Sequence, residues 1–127
     1  MRVGTHDTFL TKSFTEKLLH DGLRGPNALA APFTFDIRGG GGFWCVEFDF
    51  SQASTLNMKG KNFTSLVQSR TFENGVDVMG MNGGANLEGT KGDHVVFAPP
   101  FNVTSKEIEK IVAIFIQSVE EILKECS

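Results

Sequence analysis

Gly92-Asp93-His94-Val95-Val96-Phe97-Ala98-Pro99-Pro100-Phe101-Asn102-Val103-Thr104, with the amphipathic run Ser105 to Lys124 behind it, decides how the chain folds. His94 to Ala98 is rich in β-branched and aromatic residues and is closed by Pro99 and Pro100, which cannot continue a ladder. The segment therefore reads as a strand stopping at Pro99. Thr104 followed three residues later by Glu107 has the form of a capping box, so a helix starts there. Ile108, Ile111, Val112, Phe115, Val119 and Ile122 recur at the spacing of one apolar helix stripe, and Lys106, Glu109, Lys110, Gln117, Glu120, Glu121 and Lys124 are left mostly for solvent.

Working outward, 127 residues carry one domain and one core. Twelve basic residues scattered among fifteen acidic ones, net −3, offer no stripe for nucleic acid or an anionic membrane surface. Charges interrupt the apolar runs before the roughly 20 residues that a bilayer span needs. Met1 to Asp7 is too polar to open a signal peptide, so a cytoplasmic protein is expected. Cys45 and Cys126 read as free thiols, and no three residues have a metal-ligand spacing.

Upstream, Leu10, Phe14 and Leu18 predict a helix from Asp7 or Thr8 to His20, with Gly22 placed to end it. Gly25-Pro26-Asn27 and Pro32 punctuate a connection. Phe33 to Arg38 and Phe43 to Phe50 are extended runs joined by Gly39 to Gly42, a hairpin or tight corner. In the second run Trp44, Val46, Phe48 and Phe50 share one face, and Phe43, Cys45, Glu47 and Asp49 the other. Ser51 to Gly60 reads as a loop, Asn62 to Asn74 as a helix leaving through Asn74-Gly75, Val76 to Met79 as a brief strand, and Gly80 to Gly92 as a glycine-rich loop. This order predicts a single α+β sandwich, a small and largely antiparallel sheet with helices packed on one face.

The motifs resemble a known family. Asp36-Ile37-Arg38-Gly39-Gly40-Gly41-Gly42-Phe43-Trp44-Cys45-Val46-Glu47-Phe48 is similar to the "D-I/V-R-G-x-G-L-F-x-x-x-E" strand pair of class III (omega-type) aminotransferases, fold-type-I enzymes that use pyridoxal phosphate. Gly75-Val76-Asp77-Val78 and then Gly89 to Thr104 resemble the family's "G-D-H-v-x-x-A-P-P-f-x-i-T" block and its flanks, in the family's order and at about its spacing. The resemblance covers Phe33 to Leu123 and is to the C-terminal small domain alone. It implies that residues 33–127 form that domain, behind an N-terminal helix and connection over residues 1–32.

The resemblance also implies that the Schiff-base lysine, the acidic partner of the pyridine nitrogen and most of the phosphate cradle belong to a large domain. Lys12 and Lys17 fall on a helix surface, and Lys59 and Lys61 in a polar loop. Nothing there desolvates an amine or sets it beside another cation, as a nucleophilic lysine requires. No cofactor is expected on this chain, and transamination by it alone is not expected. Where family members often carry tyrosine-proline or a mobile arginine, this chain has Met79-Gly80-Met81, apolar and pliable, which implies a greasier and less anionic ligand.

Candidate chemistry rests on few residues. His94, behind Asp93, is the candidate proton-exchanging histidine, with a carboxylate at hand to set its tautomer, although the same pair is not the catalytic base in the family. Asp36 and Glu47 are candidate paired carboxylates, with a solvated face or an ion pair to arginine as the plainer role. Trp44, Met79, Met81, Phe97 and Phe101 are the candidate lining of a pocket, with Arg38 beside them as the family's structural arginine. Gly39 to Gly42 is no phosphate loop, because a strand rather than a helix N-terminus follows.

Three functions are open. The domain is reused to bind an apolar small molecule and assist a cofactor-free isomerisation, cyclisation or elimination. Or it is a truncated or split aminotransferase subunit that needs a lysine-bearing large domain. Or it is a non-catalytic dimerisation or regulatory module. Each expects an uncovered apolar face, and a homodimer is the commonest way to cover one.

Overall fold

The structure, a computed structural model, describes residues 4–40, 43–50, 62–81, 91–97 and 104–126. The elements in chain order are α1 (Gly4–Arg24), β1 (Thr34–Gly40), β2 (Phe43–Asp49), α2 (Phe63–Glu73), β3 (Met79–Met81), β4 (Lys91–Phe97) and α3 (Ser105–Cys126). The four strands form one antiparallel sheet in the order β1-β2-β4-β3. This is the α+β architecture that the element order predicts.

One face of the sheet makes the core. Ile37, Trp44, Val46, Phe48 and Val95 are buried there in one cluster with Leu19 and Leu23 of α1, Phe63 and Val67 of α2, and Ile108, Val112, Phe115, Val119 and Ile122 of α3. α1 packs on β1, α2 on β3 and β4, and α3 against both other helices. Phe48 meets Phe63 edge-on at 5.2 Å, and Phe50 lies 4.5 Å from Phe63 and 5.1 Å from Phe33. Such aromatic pairs add about 0.5–1.5 kcal/mol each beyond their burial.

Local chemistry sets the ends of the helices. The Thr104 hydroxyl accepts from the Glu107 amide at 3.2 Å, and the Glu107 carboxylate accepts from the Thr104 amide at 3.0 Å, the reciprocal capping box. α2 leaves through a Schellman arrangement: the Val76 amide donates to the Thr71 carbonyl, the Gly75 amide to the Phe72 carbonyl, and Gly75 has φ 107°.

Three elements, α1, β3 and β4, differ in their bounds from the sequence reading. α1 runs on to Arg24, and Gly22 lies inside it as a point of close approach to α3 rather than as a stop. The buried side of α1 is Thr15, Leu19 and Leu23, with Phe14 and Leu18 only partly covered beside it. β3 is Met79–Met81 rather than Val76 to Met79, because the helix exit occupies the chain through Val76 before it reaches the sheet. β4 opens at Lys91, since pairing with β2 continues through Asp93 to Lys91 across a shift at Phe48 and Asp49. The predicted loop over 51–60, most of that over 80–92, the Gly41-Gly42 corner and the Pro99-Pro100 stop lie outside the described residues.

Both edge strands are held by helix side chains. Arg24, in the last turn of α1, donates to the carbonyls of Thr34 and Phe35 on β1. Gln68 of α2 accepts from the Gly80 amide on β3 at 2.8 Å. Groups on an edge strand that are otherwise free would template another strand, so these bonds blunt both edges.

Candidate functional site

Side chains of adjacent strand residues alternate between faces, and directly paired residues share one. Since Ile37, Val46 and Val95 are paired and belong to the core, their neighbours define the other face. Two cross-strand rows result, Asp36–Glu47–His94–Met81 and Arg38–Cys45–Val96–Met79. No described helix covers this outer face, which carries the candidate site.

Arg38 is its centre. The Arg38 Nη1 lies 2.9 Å from Asp36 Oδ2 and 3.0 Å from Glu47 Oε1, so one guanidinium holds both carboxylates. The bond to Asp36, and that to Glu47 behind it, raise the Arg38 pKa further above its ordinary value. The Glu47 side chain is 17% exposed, against 47% for Asp36. Cys45, paired with Arg38 on one side and Val96 on the other, is buried, and burial pushes its thiol pKa up. A neutral, covered thiol of this kind is not a nucleophile.

Of the sequence candidates, Asp36, Glu47 and His94 fall in one row, and Glu47 rather than Asp93 stands opposite His94. Asp93 pairs with Phe48, a core position, so alternation assigns it to the other face. The six pocket residues divide likewise. Arg38 and Met79 take outer-face positions, and Met79 is 59% exposed; Trp44 is buried in the core. Met81 is placed by register opposite His94, Phe97 opposite Trp44, and Phe101 lies outside the described residues. Cys45 and Val96 complete the outer face. Alternation along Phe43 to Phe50 already grouped Cys45 with Glu47, but no sequence signal said that β4 would pair with β2 and bring Val96 beside it.

As for a Schiff-base lysine, the described side chains Lys17, Lys106, Lys110 and Lys124 are all exposed, with Lys17 paired to Asp21 at 2.8 Å. These do not fit pyridoxal phosphate, which needs a desolvated amine. No described group of His, Cys, Asp and Glu could hold a metal ion, and no described helix is long and apolar enough to cross a membrane.

Comparison with known proteins shows what this fold is similar to. A transaminase from directed evolution by ancestral reconstruction superposes with a TM-score of 0.70 and 24% identity over 96% of this chain, which is 24% of its own. A transaminase solved with L-alanine gives 0.71 at 18% identity over 98% of this chain and 26% of its own. The ornithine aminotransferase of Toxoplasma gondii gives 0.66 at 21% identity, covering 94% of this chain and 23% of its own. An uncharacterized aminotransferase of Schizosaccharomyces pombe is 34% identical over 82 residues, 64% of this chain and 17% of the relative. This chain is an aminotransferase-like small domain. No protein-family model matches it. The small domain spans about a quarter of the solved relatives and 17% of the yeast one. The aminotransferase-like small-domain fold that the sequence motifs implied is therefore found.

Proposed function

We propose that the small domain works as the complement of a lysine-bearing aminotransferase large domain, which supplies the cofactor chemistry while this chain supplies a structural surface. The observation that carries this reading is the asymmetry of coverage. Nearly all of this chain matches its solved relatives, whereas about three quarters of each relative has no counterpart in it. The exposure of every described lysine side chain supports the same division of labour. The test combines this chain with the yeast relative's polypeptide from which the matched segment has been removed, in the presence of pyridoxal phosphate. A one-to-one complex by light scattering, with borohydride-reducible absorbance and amino transfer seen only in the mixture, is expected. A reducible lysine adduct on the small domain alone, or no complex at all, overturns the proposal.

A second reading is favoured by the row Asp36–Glu47–His94 with Met79 exposed beside it. Here the outer face binds an apolar small molecule, and those ionisable groups assist a cofactor-free isomerisation, cyclisation or elimination. Co-purification of an apolar ligand that His94→Ala releases, with no affinity for a large domain, would favour it. A homodimer through the same face predicts twice the chain mass in solution.

A further inference from the structure

β1 is an outer strand of the sheet, paired with β2 on one side only. Arg24 engages the carbonyls of its first two residues, Thr34 and Phe35, and no hydrogen bond from a described helix reaches that edge beyond Phe35. The strand, Thr34-Phe35-Asp36-Ile37-Arg38-Gly39-Gly40, carries one acid and one base placed symmetrically about Ile37. The Asp36 and Arg38 side chains are both about half exposed, at 47% and 49%.

Two copies of an open antiparallel edge pair around a two-fold axis, and the residue on that axis meets itself. Charge selects among the registers. An axis at Asp36 sets two carboxylates opposite each other, and an axis at Arg38 sets two guanidiniums opposite each other, both unfavourable between directly opposed residues. With the axis at Ile37, Asp36 stands opposite the partner's Arg38 and Arg38 opposite the partner's Asp36, so one strand gives two ion pairs. Both bonds that Arg38 makes within its own chain use Nη1, which leaves Nη2 and Nε to donate to a second carboxylate. By count Phe35, 60% exposed, falls opposite the partner's Gly39, where no β-carbon opposes the ring. An aromatic side chain set across from an edge glycine is a recognised way of fixing strand register.

We propose that a second copy of this chain occupies the β1 edge, paired antiparallel about Ile37 so that two four-stranded sheets join into one continuous sheet. This concerns the chain by itself and goes beyond the complementation reading above.

The test is sedimentation equilibrium of the purified chain at loadings up to about 1 mM, the weak end of specific association. Twice the chain mass is expected, and a single chain mass throughout overturns the proposal. Asp36→Arg and Arg38→Asp, each first checked by its melting curve, set like charges across the axis and are expected to raise the dimer dissociation constant at least about tenfold. Mixed one to one they present opposite charges at both positions, and a heterodimer is expected where neither variant associates with itself. Should Arg38→Asp fail to fold, the double reversal Asp36→Arg/Arg38→Asp takes its place, since it keeps a cation opposite Glu47. That variant is expected to self-associate as the wild type does and not to pair with the wild type. Dimerisation indifferent to these charges, or lost instead in Met79→Asp or Phe72→Asp, overturns the β1 interface in favour of the outer face or the helix layer. A monomeric wild-type chain that still binds the large domain overturns this inference alone, and a dimer that binds no large domain overturns complementation alone.

Discussion

Gly22 of α1 and Ile116 of α3 approach so closely that a β-carbon at Gly22 would lie 2.0 Å from Ile116 Cδ1 and 2.9 Å from Cγ1. The missing side chain lets the two helices meet. Gly22→Ala gains up to about 1 kcal/mol of helix propensity but overpacks the contact by about 1–3 kcal/mol. A net loss of about 1 kcal/mol is expected from urea denaturation. Adding Ile116→Val, which deletes Cδ1, should recover part of it; strict additivity of the two changes would sink this account.

Thr15 offers the opposite case. Its hydroxyl is buried on the core side of α1 with no hydrogen-bond partner among the described residues. Thr15→Val keeps the shape and removes the uncompensated group, so a gain of about 1 kcal/mol is expected. A lower melting temperature for the variant would show that the hydroxyl is satisfied in solution.

Arg70 ties α2 to α3. It lies 3.1 Å from Glu121 and 2.6 Å from Glu125, with Glu73 at 3.5 Å, and Asn74 donates to Ser118 and Glu121. Because these groups are partly or largely exposed, Arg70→Ala should cost only about 1 kcal/mol, and less as salt is raised.

The same network predicts an acid limb. Bonds from Gln117, then Arg70 and Asn74, hold Glu121 below its ordinary pKa of 4.5, and the Thr104 amide and hydroxyl do so for Glu107. A depressed carboxylate binds fewer protons folded than unfolded. Its contribution is therefore complete above about pH 4.5 and is lost as pH falls through the lower folded value. Thr104→Ala should remove about 1 kcal/mol of cap stability and the part of the acid limb that belongs to Glu107. Melting curves between neutral pH and pH 3 check both, and an acid limb unchanged in the variant would contradict the assignment.

On the outer face, Arg38→Ala leaves Asp36 and the largely buried Glu47 without their shared cation. A loss of about 1–2 kcal/mol is expected, with Glu47→Gln restoring part of it. The buried Cys45 opposite Arg38 should react with thiol reagents slowly in the wild type and faster in Arg38→Ala. Equal rates would mean that Arg38 does not cover it.

Local patterns determined much of this molecule from sequence. The 3.6-residue stripe from Ile108 to Ile122, the Thr104–Glu107 box, the Asn74-Gly75 exit and the alternation along β2 need only neighbours in the chain, and each is found. The family motifs likewise fixed the fold. Tertiary structure alone decided where distant segments meet. Gly22 carries the same local signal whether it ends a helix or makes room for Ile116, and only packing distinguishes the two. Asp93 and His94 are neighbours in sequence, yet the pleat assigns them to opposite faces and sets Glu47, from another strand, across from His94. Periodicity says which residues share a side of one element; which elements share a site depends on burial and register summed over the whole domain.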